Sequence, residues 1–242
     1  MSSHFKEYLH NGLVQKIKIK KVIVDINSTY QHIQIFDTYT FGKILVLDGI
    51  VQLTEKDEYA YSEMLAHTAI FSLNYPKNIL IIGGGDGAVA EEILKHKYIS
   101  SVDLVDIDKK VIELSKKHFK KINNNSLTNK KVNIFDKDAY DFISSCKKKY
   151  DIIIADRPDP IGAAKVLFVN SFYKKISKIL KEDGVAVFQS GVPFFQNKET
   201  KKNLKYIKNI FNYYGIIKTV VPSYIGGFMA IVWASNKTNI NS

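Results

Sequence analysis

The chain reads as an α/β protein, a doubly wound and mostly parallel seven-stranded sheet preceded by a small antiparallel β domain. Three features of the sequence predict it. Residues 77–242 alternate between apolar runs of strand length and amphipathic helical runs, the pattern of a parallel sheet covered on both faces. The run Ile79-Leu80-Ile81-Ile82 passes directly into the turn Gly83-Gly84-Gly85-Asp86-Gly87, and a strand ending in glycine backbone before a helix lets a nucleotide approach the main chain closely. Residues 13–53 instead alternate at the two-residue period of strands. With 242 residues, 45% of them hydrophobic, the chain has enough apolar side chain to bury a sizeable core.

Taken in order, Val14, Ile17 and Ile19, then Ile33, Ile35 and Phe36, then residues 44–47 mark strands separated by Asn27-Ser28 and Asp48-Gly49. They define an N-terminal β domain over residues 1–57. Tyr61, Met64, Leu65 and Thr68 stand at helical spacing, so 58–71 is a helix that stops before Asn74-Tyr75-Pro76, and 58–76 is a connecting helix and linker. Residues 77–242 form the larger, Rossmann-like domain. Its strands fall near 78–83, 101–106, 131–135, 151–155, 184–189, 215–221 and 228–235, and its helices near 87–97, 108–119, 138–146, 169–181 and 197–213. Residues 222–227 leave no room for a crossover helix, so the last two strands should be antiparallel. The polar run 123–129 reads as a surface loop.

Composition narrows the function. The longest apolar runs, such as 228–235, are of strand length and residues 1–10 are polar, so no membrane span or export signal is expected and the protein is read as cytoplasmic. Cys146 is the one cysteine, placed at a helix end before three lysines, and reads as a solvent-edge residue. The net charge of +11 comes from lysines scattered over predicted helix faces rather than gathered in a patch, so a nucleic-acid partner is not expected. The six histidines form neither an HExxH nor a Cys/His cluster, and no metal is expected.

The acids at strand ends carry the chemistry. Asp86 at the tip of the glycine turn would repel a pyrophosphate and favour a ligand with a positive charge. About twenty residues on, Asp106 ends the next strand, where a carboxylate can take both ribose hydroxyls; Asp108 beside it could instead cap the following helix. Asp138 could hold an adenine amino group or cap its own helix. Asp156 and Asp159 leave the fourth strand of the sheet in a loop stiffened by Pro158 and Pro160. An amine arrives as an ammonium, and a carboxylate there could bind the cation and accept its proton; the plainer alternative is that both acids shape a turn.

With these motifs in one order, the chain resembles the spermidine synthase family of aminopropyltransferases. The likeness runs from Gln31 to about Ser235 through residues 47–59, the turn Gly83-Gly84-Gly85-Asp86-Gly87-Ala88, Asp156-Arg157-Pro158-Asp159-Pro160 and Val221-Pro222-Ser223-Tyr224-Ile225-Gly226-Gly227. The resemblance implies transfer of the aminopropyl group of decarboxylated S-adenosylmethionine, a co-substrate rather than a permanently bound cofactor, to a small-molecule amine, putrescine first, giving spermidine and methylthioadenosine. Gln31, the turn residues Gly83 and Gly85, Asp106, and Asp138 with Ala139 would then bind the nucleoside, and Asp86 the ammonium of the aminopropyl arm. Asp156 would be the proton acceptor, with Tyr61, Asp159 and Tyr224 lining the acceptor site. A homodimer or homotetramer is implied as well. Agmatine, a longer polyamine or a carboxylate-bearing amine are alternative acceptors, and a class I methyltransferase is the alternative use of the same sheet.

Four departures from the family pattern are visible. Asp106 stands where Glu is usual, and Ser62 where His or Gln is common. Arg157 and Pro158 replace small polar residues, and a guanidinium there is expected to face the acceptor, pair with Asp159 or meet a substrate carboxylate. Family members usually continue past the last strand into a tail with a Tyr-Asn and a His, while this sequence ends at Ser242, so part of the pocket cover or subunit contact is expected to differ.

Overall fold

Alternating apolar residues build the first sheet. In the computed structural model, which describes residues 3–160 and 162–240 (the backbone alone at 162 and 163), strands β1 (His4–Glu7), β2 (Gln15–Asn27), β3 (His32–Thr38), β4 (Gly42–Leu47) and β5 (Ile50–Thr54) pair antiparallel in chain order. One face buries Ile33, Ile35, Leu45 and Leu53 against Ala88, Val111, Phe119 and Ile122 of the second sheet's helices. The other gathers Phe5, Ile17, Ile19, Phe36, Ile44, Val46 and Val51. Strand β1 precedes the expected start of the alternation. Its four residues point Phe5 and Glu7 inward, and an acid at an inward position hides the pattern.

Helix α1 (Glu58–Ile70) leads into the second unit: β6 (Asn78–Gly83), α2 (Ala88–Leu94), β7 (Ser101–Asp106), α3 (Lys109–His118), α4 (Lys120–Asn123), β8 (Val132–Asp136), α5 (Ala139–Ser145), β9 (Tyr150–Asp156), α6 (Asn170–Ile179), β10 (Leu180–Gln189), α7 (Asn197–Lys208), β11 (Tyr213–Val220) and β12 (Phe228–Ser235). The strand order is β11-β12-β10-β9-β6-β7-β8, with β12 antiparallel to both neighbours and every other adjacent pair parallel. This is the doubly wound sheet the alternation predicts. Ile79, Ile81, Ile152 and Ile154 face α1 and α2; Leu80, Ile82, Ile153 and Ala155 face α5 and α6. Burying each such aliphatic side chain contributes roughly 1.5–3 kcal/mol.

The winding reverses between β6 and β9. From β6 the chain builds outward through β7 and β8, then returns to place β9 on the other side of β6. At such a switch point the loops leave in opposite directions and open a crevice at the carboxyl ends of the strands. Register sets Gly83 beside Asp156 there.

Three boundaries differ from expectation. Strand β10 begins at Leu180, paired with Tyr150, and its register shifts before Val185, so residues assigned to a helix end belong to an irregular strand start. Helix α7 stops at Lys208 and β11 begins at Tyr213. The run 123–129 is only in part a surface loop: Asn124, Asn125, Thr128 and Asn129 are exposed, but Asn123, Ser126 and Leu127 are buried, Asn123 Nδ2 donates to the Asp86 carbonyl at 3.2 Å and Ser126 Oγ to the Gly87 carbonyl at 2.8 Å. Short polar side chains can reach the carbonyls of a tight glycine turn and brace it.

Asp57 joins the parts of the molecule. Buried at the start of α1, its carboxylate accepts from Thr54 Oγ1 at 2.6 Å, Ser223 N at 2.7 Å and Ser223 Oγ at 3.0 Å. Asp57→Ala should lower unfolding free energy by about 2–4 kcal/mol, since buried donors lose their acceptor. Denaturant titration checks this, and a loss within experimental error would show that the joint is dispensable.

Candidate active site

The glycine turn is as tight as it is because of the acids around it. Gly83 and Gly84 hold φ of 78° and 69°, the left-handed region that favours glycine. A Cβ on Gly83 would lie 2.0 Å from the Asp156 carbonyl oxygen, and one on Gly85 2.6 Å from Asp106 Oδ2. The turn therefore packs directly against both neighbouring strand ends. Asp86 Oδ1 accepts from Ala88 N at 2.7 Å, which holds it at the start of α2.

The other acids follow. Asp106 accepts from Gly85 N at 3.0 Å and Asp108 N at 2.9 Å, leaving each oxygen further acceptor capacity. Asp108 caps α3 through Lys110 N, and its other oxygen takes Ser28 Oγ at 2.7 Å and Gln31 Nε2 at 2.8 Å. Asp138 caps α5 with Oδ1 alone, accepting from Tyr140 N and Asp141 N. Tyr61 donates to Asp156 Oδ1 at 2.7 Å. Tyr224 stands edge-on to Tyr61, ring centroids 6.3 Å apart, and donates to the Gln52 carbonyl at 2.6 Å. Asp159 accepts from Gln196 Nε2 at 2.5 Å.

One cavity of about 270 Å³ collects them. Gln31, Tyr61, Gly83, Gly85, Asp86, Asp106, Asp138, Ala139, Asp156, Asp159 and Tyr224 all line it, whereas Asp108 does not. Glu7, Gln52, Glu58 and Gln196 line it too and were not foreseen. Glu7 is 2% exposed with Oε2 unpartnered. The signal for it was an acid two residues from Phe5, on the buried side of a strand.

Burial and mutual repulsion govern the charge. Desolvation first, then the charge of Asp86, pushes Asp156 up to about 7. Asp86 itself is raised by burial, against the lowering effect of its backbone hydrogen bonds. Burial likewise lifts Asp106 to about 6, and Glu7 and Glu58 to about 7, and raises Asp159. Tyr61 and Tyr224 are held well above the usual phenol range by burial and by Asp156, so they remain donors. Among the described residues no group of three His, Cys, Asp or Glu side chains is arranged to hold a metal.

Arg157 corrects an expectation. It does not pair with Asp159: Arg157 is among the residues lining the cavity, but it is 2% exposed and its guanidinium is engaged, donating to the Leu167 carbonyl, to Tyr173 Oη at 2.9 Å and to the Gln189 carbonyl at 3.4 Å. Its carbon lies 3.8 Å from the centre of the Phe168 ring. An aromatic box holds a cation through ring quadrupoles, which the spacing of Arg157 from its rings along the chain did not reveal.

A Rossmann-like sheet with an acid-lined crevice at its switch point, joined to a separate antiparallel sheet, has the plan of the Rossmann-like methyltransferases. Comparison with known proteins narrows this. The spermine/spermidine synthase domain matches residues 58–242 and the spermidine synthase tetramerisation domain residues 4–55. A polyamine aminopropyltransferase of Methanocaldococcus jannaschii is 40% identical over 97% of this chain and 80% of its own length, and one of Ruegeria is 36% identical over 98% and 83%. A crystal structure of a spermidine synthase in complex with the transition-state analogue AdoDATO superposes with a TM-score of 0.95 at 32% identity, covering 98% of this chain and 82% of that one. The spermidine synthase of Thermotoga maritima gives 0.91 at 31% identity, covering 98% and 80%. The chain belongs to the spermine/spermidine synthase family and is an enzyme of the aminopropyltransferase class.

The raised acids fix a pH dependence. A carboxyl whose folded pKa exceeds its unfolded value binds more protons when folded, so the ligand-free protein should gain stability as pH falls through about 7. Between pH 8 and about 7, above the ordinary histidine value, the melting temperature should rise by a few degrees; below that His10, His96 and His118, which burial lowers, oppose the rise. A flat profile, or greater stability at pH 8, would mean that these groups are not held back from ionising.

Proposed function

We propose that this enzyme transfers the aminopropyl group of decarboxylated S-adenosylmethionine to a diamine, putrescine first, giving spermidine and methylthioadenosine. The carrying observation is one cavity with two groups of acids and a pair of tyrosines between them. Asp86, Asp106 and Asp156 stand at the strand tips, Glu7 and Asp159 form the other group, and Tyr224 feels the charge of Asp86, Asp156 and Asp159 alike. Such a space suits a donor with a sulfonium and an ammonium and an acceptor with a cation at each end. In this reading Asp106, Gln31 and Asp138 with Ala139 hold the nucleoside against the Gly83–Gly85 backbone, and Asp86 holds the donor ammonium.

The chemistry asks little of the protein beyond placement. The acceptor nitrogen attacks the carbon next to the sulfonium, the new C–N bond forms as the C–S bond breaks, and the electron pair returns to sulfur as a neutral thioether. Asp156 takes the proton that the ammonium must lose, its raised pKa bringing it near the operating range of a general base. The Tyr61 hydroxyl fixes one carboxylate oxygen and leaves the other to the amine. Tyr61 and Tyr224 offer ring surface to a methylene chain and a cation together.

Two alternatives fare worse. A carboxylate-bearing acceptor needs a cation in the cavity, and the Arg157 guanidinium is engaged elsewhere. A methyl donor with its carboxylate intact would bring like charge to Asp86. Agmatine and longer polyamines remain chemically compatible with the Glu7 and Asp159 group. The match to a tetramerisation domain supports assembly as a dimer or tetramer. A cytoplasmic enzyme is in keeping with the absence, among the described residues, of any helix long and apolar enough to cross a membrane.

Incubation with decarboxylated S-adenosylmethionine and a mixture of amines, read by mass, should yield spermidine in preference to other products; a methylated product would overturn the reading. Asp156→Asn should lower kcat by about 10²–10⁴-fold while methylthioadenosine affinity stays within about twofold. Unchanged turnover would remove Asp156 from the mechanism.

A further inference from the structure

We propose that Arg157 is a positioning residue that locks the segment after the base into its place beside the acceptor cleft before any amine arrives. Leu167 already packs in one cluster with Ala139 and Ile143 of α5 and with residues of α6, and Arg157 adds a polar tie. Arg157, Pro158, Asp159, Ala164, Val166 and Leu167 line the cavity; among the described residues Asp159 accepts from Gln196 and feels the charge of His10. Arg157, adjacent to Asp156, reaches ahead to the Leu167 carbonyl and so draws both ends of the segment onto one side chain.

The form of the anchor is unusual. No ion pair among the described residues engages Arg157, and its Nε is buried without a partner. A buried charge without a counter-ion persists only where geometry compensates it. Here the compensation is the Phe168 ring face at 3.8 Å, the Phe172, Tyr173 and Phe188 rings at 5.4–5.6 Å, and the acceptors Leu167 O, Tyr173 Oη and Gln189 O. Phe168 and Leu167 belong to the segment being held; Tyr173 lies on α6 and Gln189 on β10. The guanidinium is thus a bolt between the loop and the rigid sheet. A planar fork can make these contacts together, and an ammonium cannot.

The consequence falls on the part of the cavity that the segment lines. Loosening the bolt should free Asp159, Val166 and Leu167 and leave Asp86 and Asp106, at the ends of other strands, undisturbed, whereas Ala139 of α5 shares a cluster with Leu167. Amine binding should therefore weaken.

Two readouts separate this claim from the transfer reading on which its kinetic part rests. Lys165 is the one lysine between Pro158 and Tyr173, it is exposed, and the Arg157-Pro158 bond resists trypsin, so cleavage after Lys165 reports on the segment without substrate. In Arg157→Ser, the cleavage rate should rise about tenfold. KM for the amine should rise about tenfold as well, with kcat within about twofold. Arg157→Lys, charged but without the fork, should behave like the serine variant. Should Arg157→Ser fail to fold, Tyr173→Phe, which removes one partner, should raise cleavage about threefold. Unchanged cleavage in the folded variant, or full rescue by lysine, overturns the proposal. An inactive wild type would instead overturn the transfer reading, with the cleavage experiment still deciding the role of Arg157.

Discussion

Carboxylates crowded into one hollow are the constraint from which the rest of this structure follows. Asp86, Asp106 and Asp156 are brought together by the parallel register of β7, β6 and β9, and Glu7 and Asp159 reach the same space from the N-terminal sheet and the loop after β9. Water alone does not relieve so many like charges at close quarters. Their pKa values rise, and the ligand-free site carries protons it would give up to a cationic guest.

The scaffold is built to tolerate that repulsion. Two hydrophobic layers clamp the central strands, the glycine turn lets β6 approach Asp106 and Asp156 to contact distance, and Asn123 and Ser126 brace it by donating to the Asp86 and Gly87 carbonyls. Asp57 fastens the segment before Tyr61 to the loop that carries Tyr224. The two tyrosines, with phenols held protonated, donate where the acids need donors. Stability is thus spent on holding a charged hollow open, a familiar arrangement in sites that bind and deprotonate a cation.

Much of this could be read in the chain because period and punctuation carry it. The run 79–82 passing into glycines announces a buried strand and its turn, and residues 222–227 are too short for a crossover, which fixes the antiparallel pair at the end. Acids at strand tips are visible once the strands are known. What escaped were features set by the third dimension. Glu7 lies on a strand whose inward acid breaks the expected alternation. The polar run 123–129 looks like a loop until the turn it braces is in place. Arg157 sits next to the base in sequence, yet its guanidinium is engaged in an aromatic box assembled from residues 168, 172, 173 and 188. Spacing shows where a side chain starts and not where a long one ends.

The central claim, that a cation-seeking charge is stored in one cavity, is tested most directly by counting protons. Titrating putrescine into the protein at pH 6.5 in two buffers of different ionisation enthalpy, followed by calorimetry, gives the protons exchanged on binding. If the acids share one hollow and are protonated there, binding the dication should release about half to one proton per site. Binding with no release, or with uptake, would mean that the carboxyl groups do not respond to a common guest, and the account would be wrong at its root.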